Sequence, residues 1–257
     1  MRILAIGDVT SVGGVNHLIK NLARIRREQN IDLCIVNGEN ASFISGIAPE
    51  LAEGLLRSGA DVITGGNHTL QAFGINDFLD EREDIIRPLN YGDVAAGKGY
   101  SIVDLGCTRV LILNAMGTAF IEPLLDSPYP YIEKTLEDLR GEYDIAILDF
   151  HAEATGEKLA LAYYFDGKIS VVFGTHTHVP TADGRILPNG TGYITDLGMC
   201  GESEGVLGIE PESVIFKMKT RLPGRFKVSS GKPVADGVIF TVDIKTKKTT
   251  HIERVSF

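Results

Sequence analysis

Five short segments, spread over a chain of 257 residues, carry side chains that can hold a metal ion: Gly7-Asp8, Asn37-Gly38-Glu39-Asn40, Gly65-Gly66-Asn67-His68, Asp149-Phe150-His151 and Gly174-Thr175-His176-Thr177-His178. The first donors to consider are Asp8, Glu39, Asn67, His151, His176 and His178. Imidazoles combined with oxygen donors suit Mn, Fe, Co or Zn better than Ca or Mg, which prefer shells of oxygen alone. Six donors exceed what one ion needs. A pair of ions about 3.5–4 Å apart can share a bridging carboxylate, generate hydroxide at neutral pH and stabilise both the attacking and the leaving oxygen of a displacement at phosphorus. Glu39 is the candidate bridge. The chemistry expected from the residues alone is phosphoester hydrolysis.

Each segment by itself also has a plainer reading. Asp8 equally suits a helix N-cap. Asn67-His68 after two glycines suits turn chemistry, because Asn and Gly both tolerate left-handed backbone. His151 alone reads as a satisfied, partly buried histidine. His176 and His178, alternating along an extended segment, would present both rings on one side, as a surface pair would too. Their conjunction is what favours a metal site. His17 and His251 lie away from every motif and read as surface residues. Asp183, Asp196, Glu153 and Glu202 read as supporting or solvated acids, with Glu153 placed to orient a ligating imidazole. Gly13-Gly14 matches neither type of phosphate loop.

The elements that must position these donors follow from periodicity. Apolar runs at Ile3 to Ile6, Leu33 to Val36, Val62 to Thr64, Ser101 to Val103, Val110 to Leu113, Ile145 to Leu148 and Val171 to Phe173 read as strands. Between them, Val15, Leu18, Ile19, Leu22 and Ile25 recur at helical spacing. Further helices are expected over Pro49 to Arg57, with Gly59 past its end, near Ile132 to Arg140 and near Glu157 to Phe165. This alternation predicts an α/β fold with a mainly parallel, buried sheet. Ligands in such folds bind beyond the carboxyl ends of the strands, where all five segments fall, so scatter in sequence becomes clustering in space. From Gly184 onward, Gly and Pro punctuation between short β-branched runs such as Val238 to Val242 predicts antiparallel strands closing the structure. No linker or internal repeat interrupts the chain, and residues 1–257 read as one domain.

Composition narrows the partners. The chain has 25 Lys and Arg against 34 Asp and Glu, a net charge of −9, which argues against stable binding to nucleic acid by phosphate neutralisation. A small anionic substrate still fits if bound cations reverse the local field. Three widely spaced cysteines form no C-x-x-C pair, which suits a reducing cytoplasm. The first apolar run is too short for a signal peptide, no stretch approaches a membrane span, and a homo-oligomer is expected on general frequency alone.

The same residues resemble the calcineurin-like metallophosphoesterase superfamily, whose motifs run GD-x-H, GD-x-x-[DE], GN-H-[DE], a later lone His, and GH-x-H. The departures are distinctive: Thr10 stands where the first motif has His, Glu39 with Asn40 replaces the acidic motif, and the last motif reads Gly-Thr-His-Thr-His. With Asn40, the segments Asp149-Phe150-His151-Ala152-Glu153-Ala154-Thr155 and Arg185-Ile186-Leu187-Pro188-Asn189-Gly190 look like the YmdB-type branch, cyclic-nucleotide phosphodiesterases, over almost the whole chain.

The resemblance implies a sandwich of mainly parallel layers flanked by helices, with an antiparallel C-terminal part. It implies one ion held by Asp8, Glu39, Asn40 and His178 and a second held by Glu39, Asn67, His151 and His176, with Fe or Mn expected and Zn as the alternative. His68, left unligated, is the implied catalytic residue, donating a proton to the leaving ribose oxygen or stabilising charge on phosphorus. The implied substrates are 2′,3′-cyclic nucleotides, opened to 3′-phosphates, with 3′,5′-cyclic nucleotides as a further candidate. Gly13-Gly14-Val15, Phe43 and Leu70 replace a Pro-Gly-Arg, a His and an aromatic of that branch and concern substrate handling; the residues that bind substrate are left unidentified. A phosphomonoesterase or phosphoprotein phosphatase on the same metals is a competing reading. So is a regulatory, RNA-associated scaffold with a vestigial metal site.

Overall fold

In the first strand every other side chain faces a different core. Ile3 and Ala5 point to one apolar cluster and Leu4 and Ile6 to another, and all four are fully buried. A strand buried on both faces belongs inside a layered α/β protein. The protein is described by a computed structural model covering residues 1–42 and 45–257, so Phe43 lies outside the described residues.

In chain order the elements begin with β1 (Arg2–Ile6), β2 (Asp8–Val9), α1 (Val12–Glu28), β3 (Leu33–Asn37), α2 (Pro49–Ser58), β4 (Val62–Thr64) and α3 (Ile75–Glu81). There follow β5 (Tyr100–Asp104), β6 (Arg109–Met116), α4 (Pro128–Asp138), β7 (Ile145–His151), α5 (Thr155–Tyr164) and β8 (Val171–Thr175). The last part holds β9 (Arg185–Ile186), β10 (Gly192–Ile194), β11 (Met199–Glu202), α6 (Pro211–Thr220), β12 (Pro233–Asp243) and β13 (Lys248–Ser256). Among the described residues no helix is long and apolar enough to cross a membrane.

Two sheets form, as the resemblance implies, where periodicity alone suggested one. The first runs β2-β11-β12-β1-β3-β4 with β13 on β12, and the second runs β5-β6-β7-β8-β10-β9. Each has a parallel centre, β1-β3-β4 in the first and β6-β7-β8 in the second. Ile3, Ile35, Ile112, Ile147, Phe173 and Phe240 interlock between the sheets. The outer face of the first sheet is covered by α1 and α2 through Leu18, Leu22, Ala52 and Leu55. That of the second is covered by α4 and α5 through Ile132, Leu161 and Ala162. The result is a helix-sheet-sheet-helix sandwich.

The C-terminal part is not uniformly antiparallel. β12 pairs antiparallel with β1, β11 and β13, but β10 runs parallel to β8 and β11 parallel to β2. Short strands that follow tight turns can enter a sheet in either sense, which composition does not reveal. Asp8 does not cap α1; Ser11 does, its hydroxyl accepting the Gly14 N–H at 2.9 Å. A Cβ on Gly14 would stand 2.2 Å from the Cys200 carbonyl oxygen, so the glycines here permit a close approach of α1 to β11.

Candidate metal centre

All seven predicted donors, with His68 beside them, meet where the carboxyl ends of the two parallel centres face each other. Asp8 opens β2 just past the end of β1, Glu39 and Asn40 come from beyond β3, and Asn67 and His68 from beyond β4; His151 ends β7, and His176 and His178 follow β8. Asp8, Glu39 and His151 are buried.

Local structure aims each side chain. The Asn37 side chain accepts the Glu39 N–H at 3.1 Å, which turns the chain past β3 and sends Glu39 inward. A Cβ on Gly66 would lie 2.4 Å from His151 Nε2, so glycine is needed where the β4 turn passes that ring. His176 and His178 do not alternate along an extended strand as expected. Both have positive φ, 100° and 64°, a strained conformation for residues other than glycine, and these kinks direct the rings into the cleft.

Two sets of donor atoms result. Donor atoms of Asp8, Glu39 and His178 all lie within 4.8 Å of one another. In the second set His151 Nε2 is 2.9 Å from Asn67 Oδ1, 3.1 Å from His176 Nδ1 and 3.9 Å from Glu39 Oε2. Glu39 therefore belongs to both. Asn40 lies against Glu39 and His178 through its amide nitrogen, with its oxygen 3.0 Å from His68 Nδ1; turning the amide by half a revolution exchanges the two.

The protons are accounted for elsewhere. The Thr175 hydroxyl donates to Asp149 Oδ1 at 2.7 Å, so its oxygen can only accept from His151 Nδ1 at 2.9 Å, and that leaves His151 Nε2 as a bare lone pair. His176 Nε2 faces Glu153 Oε2 at 3.2 Å, the orienting role expected of Glu153, and turns its Nδ1 lone pair inward. Among the described residues, Asp8 Oδ1 is buried with no hydrogen-bond partner. Burial, and then the adjacent Glu39 carboxylate, push the Asp8 carboxyl well above its ordinary range. Burial also holds His151, His176 and His178 below the usual imidazole value, which keeps them neutral. A buried cluster of converging lone pairs and unneutralised carboxylates fits divalent cations, since neighbouring ligands bound at about 2.1 Å stand roughly 3 Å apart.

His68 stands at the rim, part-exposed, with Nδ1 3.1 Å from Glu39 Oε2. Its hydrogen bond to Glu39 raises its pKa against the effect of partial burial.

Of the supporting layer, the sequence pointed to Asp196 and Glu153 but not to Asp149, Thr175 or Lys158. Asp149 is fully buried and accepts from Thr64, Thr175 and Asn37, so it joins both sheets beneath the donors. Burial, offset by these bonds, raises its pKa to about 6. Buried Lys158 donates to Asp196 and to the Thr175 carbonyl oxygen, each at 2.8 Å, and Asp196 accepts the Thr177 N–H, which clamps the His176–His178 loop. The available signal was a polar residue directly after an apolar run, as at Asn37, Thr64, Asn114, Asp149 and Thr175. Asp183 and Glu202 are absorbed in bonds to Thr195 and Ser11. His17 is not free on the surface: its Nε2 lies 2.9 Å from the Phe257 backbone oxygen and its ring stacks on Phe257. His251 is exposed.

Known proteins resemble this chain over nearly its whole length. A family model described as "YmdB-like protein" matches residues 4–255. A Bacillus subtilis protein named 2′,3′-cyclic-nucleotide 2′-phosphodiesterase is 42% identical over 255 residues, covering 99% of this chain and 96% of its own. A crystal structure of a hypothetical protein from Thermus thermophilus superposes with a TM-score of 0.93 at 36% identity, covering 100% of this chain and 99% of that one. That of a "novel phosphatase" from Mycoplasma pneumoniae gives 0.92 at 35% identity, covering 100% and 93%.

Proposed function

On the premise that the chain belongs to the YmdB-like protein family, we propose that it is a dinuclear-metal-dependent phosphodiesterase that opens 2′,3′-cyclic nucleotides to 3′-nucleotides. The observation that carries this reading is the convergence of two sets of lone-pair donors on Glu39, supported by the activity in the name of the B. subtilis relative. Asp8, Glu39, Asn40 and His178 would hold one ion, and Glu39, Asn67, His151 and His176 the other, on a single domain. Fe or Mn, with Zn as the alternative, suits this mixed set. Two such ions, when bound, supply positive charge for the phosphoryl oxygens and activate the attacking water.

The chain's own residues do the rest. Thr175 and Glu153 fix the two ring orientations. His68, held by Glu39 at the rim, delivers a proton to the departing 2′ oxygen of the ribose. Three unpaired cysteines support a reducing, cytoplasmic setting.

Parallel assays with 2′,3′-cyclic AMP, 3′,5′-cyclic AMP and p-nitrophenyl phosphate, on protein of measured metal content, test the proposal. The first substrate should turn over fastest, with two equivalents of Fe or Mn bound. Faster turnover of the monoester would replace the reading with a phosphomonoesterase.

A further inference from the structure

Beside the donors lies a cavity of about 280 Å³ that the phosphodiester chemistry leaves unused. Asn40, His68 and His178 form one wall, so it opens directly onto the metal centre, and Thr10 adds a small side chain where the superfamily motif reads His. The opposite wall is apolar and comes from residues 206–226: Val206, Leu207, Ile209, Val214, Met218 and Phe226. Val206 and Leu207 are 39% and 45% exposed, beside the most polar part of the molecule.

The turn that carries Leu207 breaks a local rule. Val206 and Ile209 exchange both backbone hydrogen bonds, at 2.8 and 3.1 Å, so Leu207 and Gly208 form a two-residue hairpin turn. Both have positive φ, 52° and 78°, the pattern of a type I′ turn, whose first position favours Asn, Asp or Gly. A leucine held there against its backbone preference, with its side chain on a cavity wall, is strain of the kind found at ligand clamps.

Resting on the phosphodiesterase reading, we propose that this cavity is the nucleobase subsite and that Leu207 at the turn is its main contact. The volume is at the small end of ligand pockets, which run from roughly 300 Å³ upward, and suits one flat heterocycle while the ribose phosphate reaches the metal centre. Among the described residues, the wall outside the metal cluster offers only the Thr10 side chain as a polar side chain, so the subsite grips the faces of a base and does not read its edge. The four common bases should be accepted with comparable efficiency.

The test compares 2′,3′-cyclic AMP with methyl riboside 2′,3′-cyclic phosphate, which has the same ester and no base. Leu207→Asn supplies a residue the turn prefers, so the variant should fold with an undiminished Tm. Its ratio of kcat/KM for the nucleotide over the base-free ester should fall about tenfold, carried by KM. Phe120→Ala is the second arm, because Phe120 is 91% exposed on a separate cavity on the other side of His68. An unaltered ratio in Leu207→Asn, or a fall in Phe120→Ala alone, overturns the subsite. A wild-type chain that opens neither ester removes the phosphodiesterase reading, and this inference with it.

Discussion

The Thr175 hydroxyl oxygen lies 2.9 Å from His151 Nδ1, and the hydroxyl donates its hydrogen bond to Asp149, 2.7 Å away. One buried hydroxyl thus decides which nitrogen of His151 faces the metal centre. Thr175→Val keeps the shape, removes both bonds and frees the ring to adopt the other tautomer. Affinity for the second metal equivalent should fall about 10–100-fold, with Thr175→Ser restoring it. Metal titration reads this directly, and stability should drop by about 1–3 kcal/mol because Asp149 keeps an unmet acceptor.

Lys158 and Asp196 form an ion pair whose side chains are 1% and 0% exposed. Lys158→Met strands a buried carboxylate and should cost about 3–5 kcal/mol in chemical denaturation. Adding Asp196→Leu should recover part of that loss, since an apolar pair tolerates burial.

His68 contacts Glu39 and Asn40 but sits at the rim of the cluster. His68→Ala should lower kcat on 2′,3′-cyclic AMP by about 10²–10⁴-fold and leave two metal equivalents bound. Loss of one equivalent would make His68 a ligand and not a proton donor.

Removing the ions should destabilise the fold, because Asp8 is then buried beside the Glu39 carboxylate with no cation between them. Chelator treatment should lower Tm, and adding Mn back at about 100 times its Kd should return roughly 2.7 kcal/mol per site. A Tm indifferent to metal would contradict the proposed ligand set.

Cys34 and Cys200 are buried, and burial raises both thiols far above their ordinary range, whereas Cys107 is exposed. Native protein should therefore show one thiol that reacts quickly with an aromatic disulfide reagent, and denatured protein three.

Much of this was legible because it is local. The alternation in β1 and the spacing of Leu18, Leu22 and Ile25 are each set by the pleat of a strand or the pitch of a helix. The five donor-bearing segments could be placed in one cleft from chain polarity alone, since parallel strands share a carboxyl edge. The helix expected near Ile132 begins earlier, at Pro128, which fits a first helical turn. The division into two sheets was legible only through the family resemblance and not from periodicity, and the parallel entry of β10 and β11 was not legible at all, because strand partners are chosen across the chain.

The sequence by itself determined the fold class and the donor types, because periodicity and ligand chemistry are properties of residues and their near neighbours. Only the tertiary structure decided how the donors are held and what lies beside them. Asn37 meets Asp149 across 112 positions and Lys158 meets Asp196 across 38. His176 and His178 face inward through strained backbone, and Leu207 reaches the cavity beside His68 from a segment bearing no motif. Buried polar groups must find partners wherever packing brings them, and packing is settled by the whole core at once.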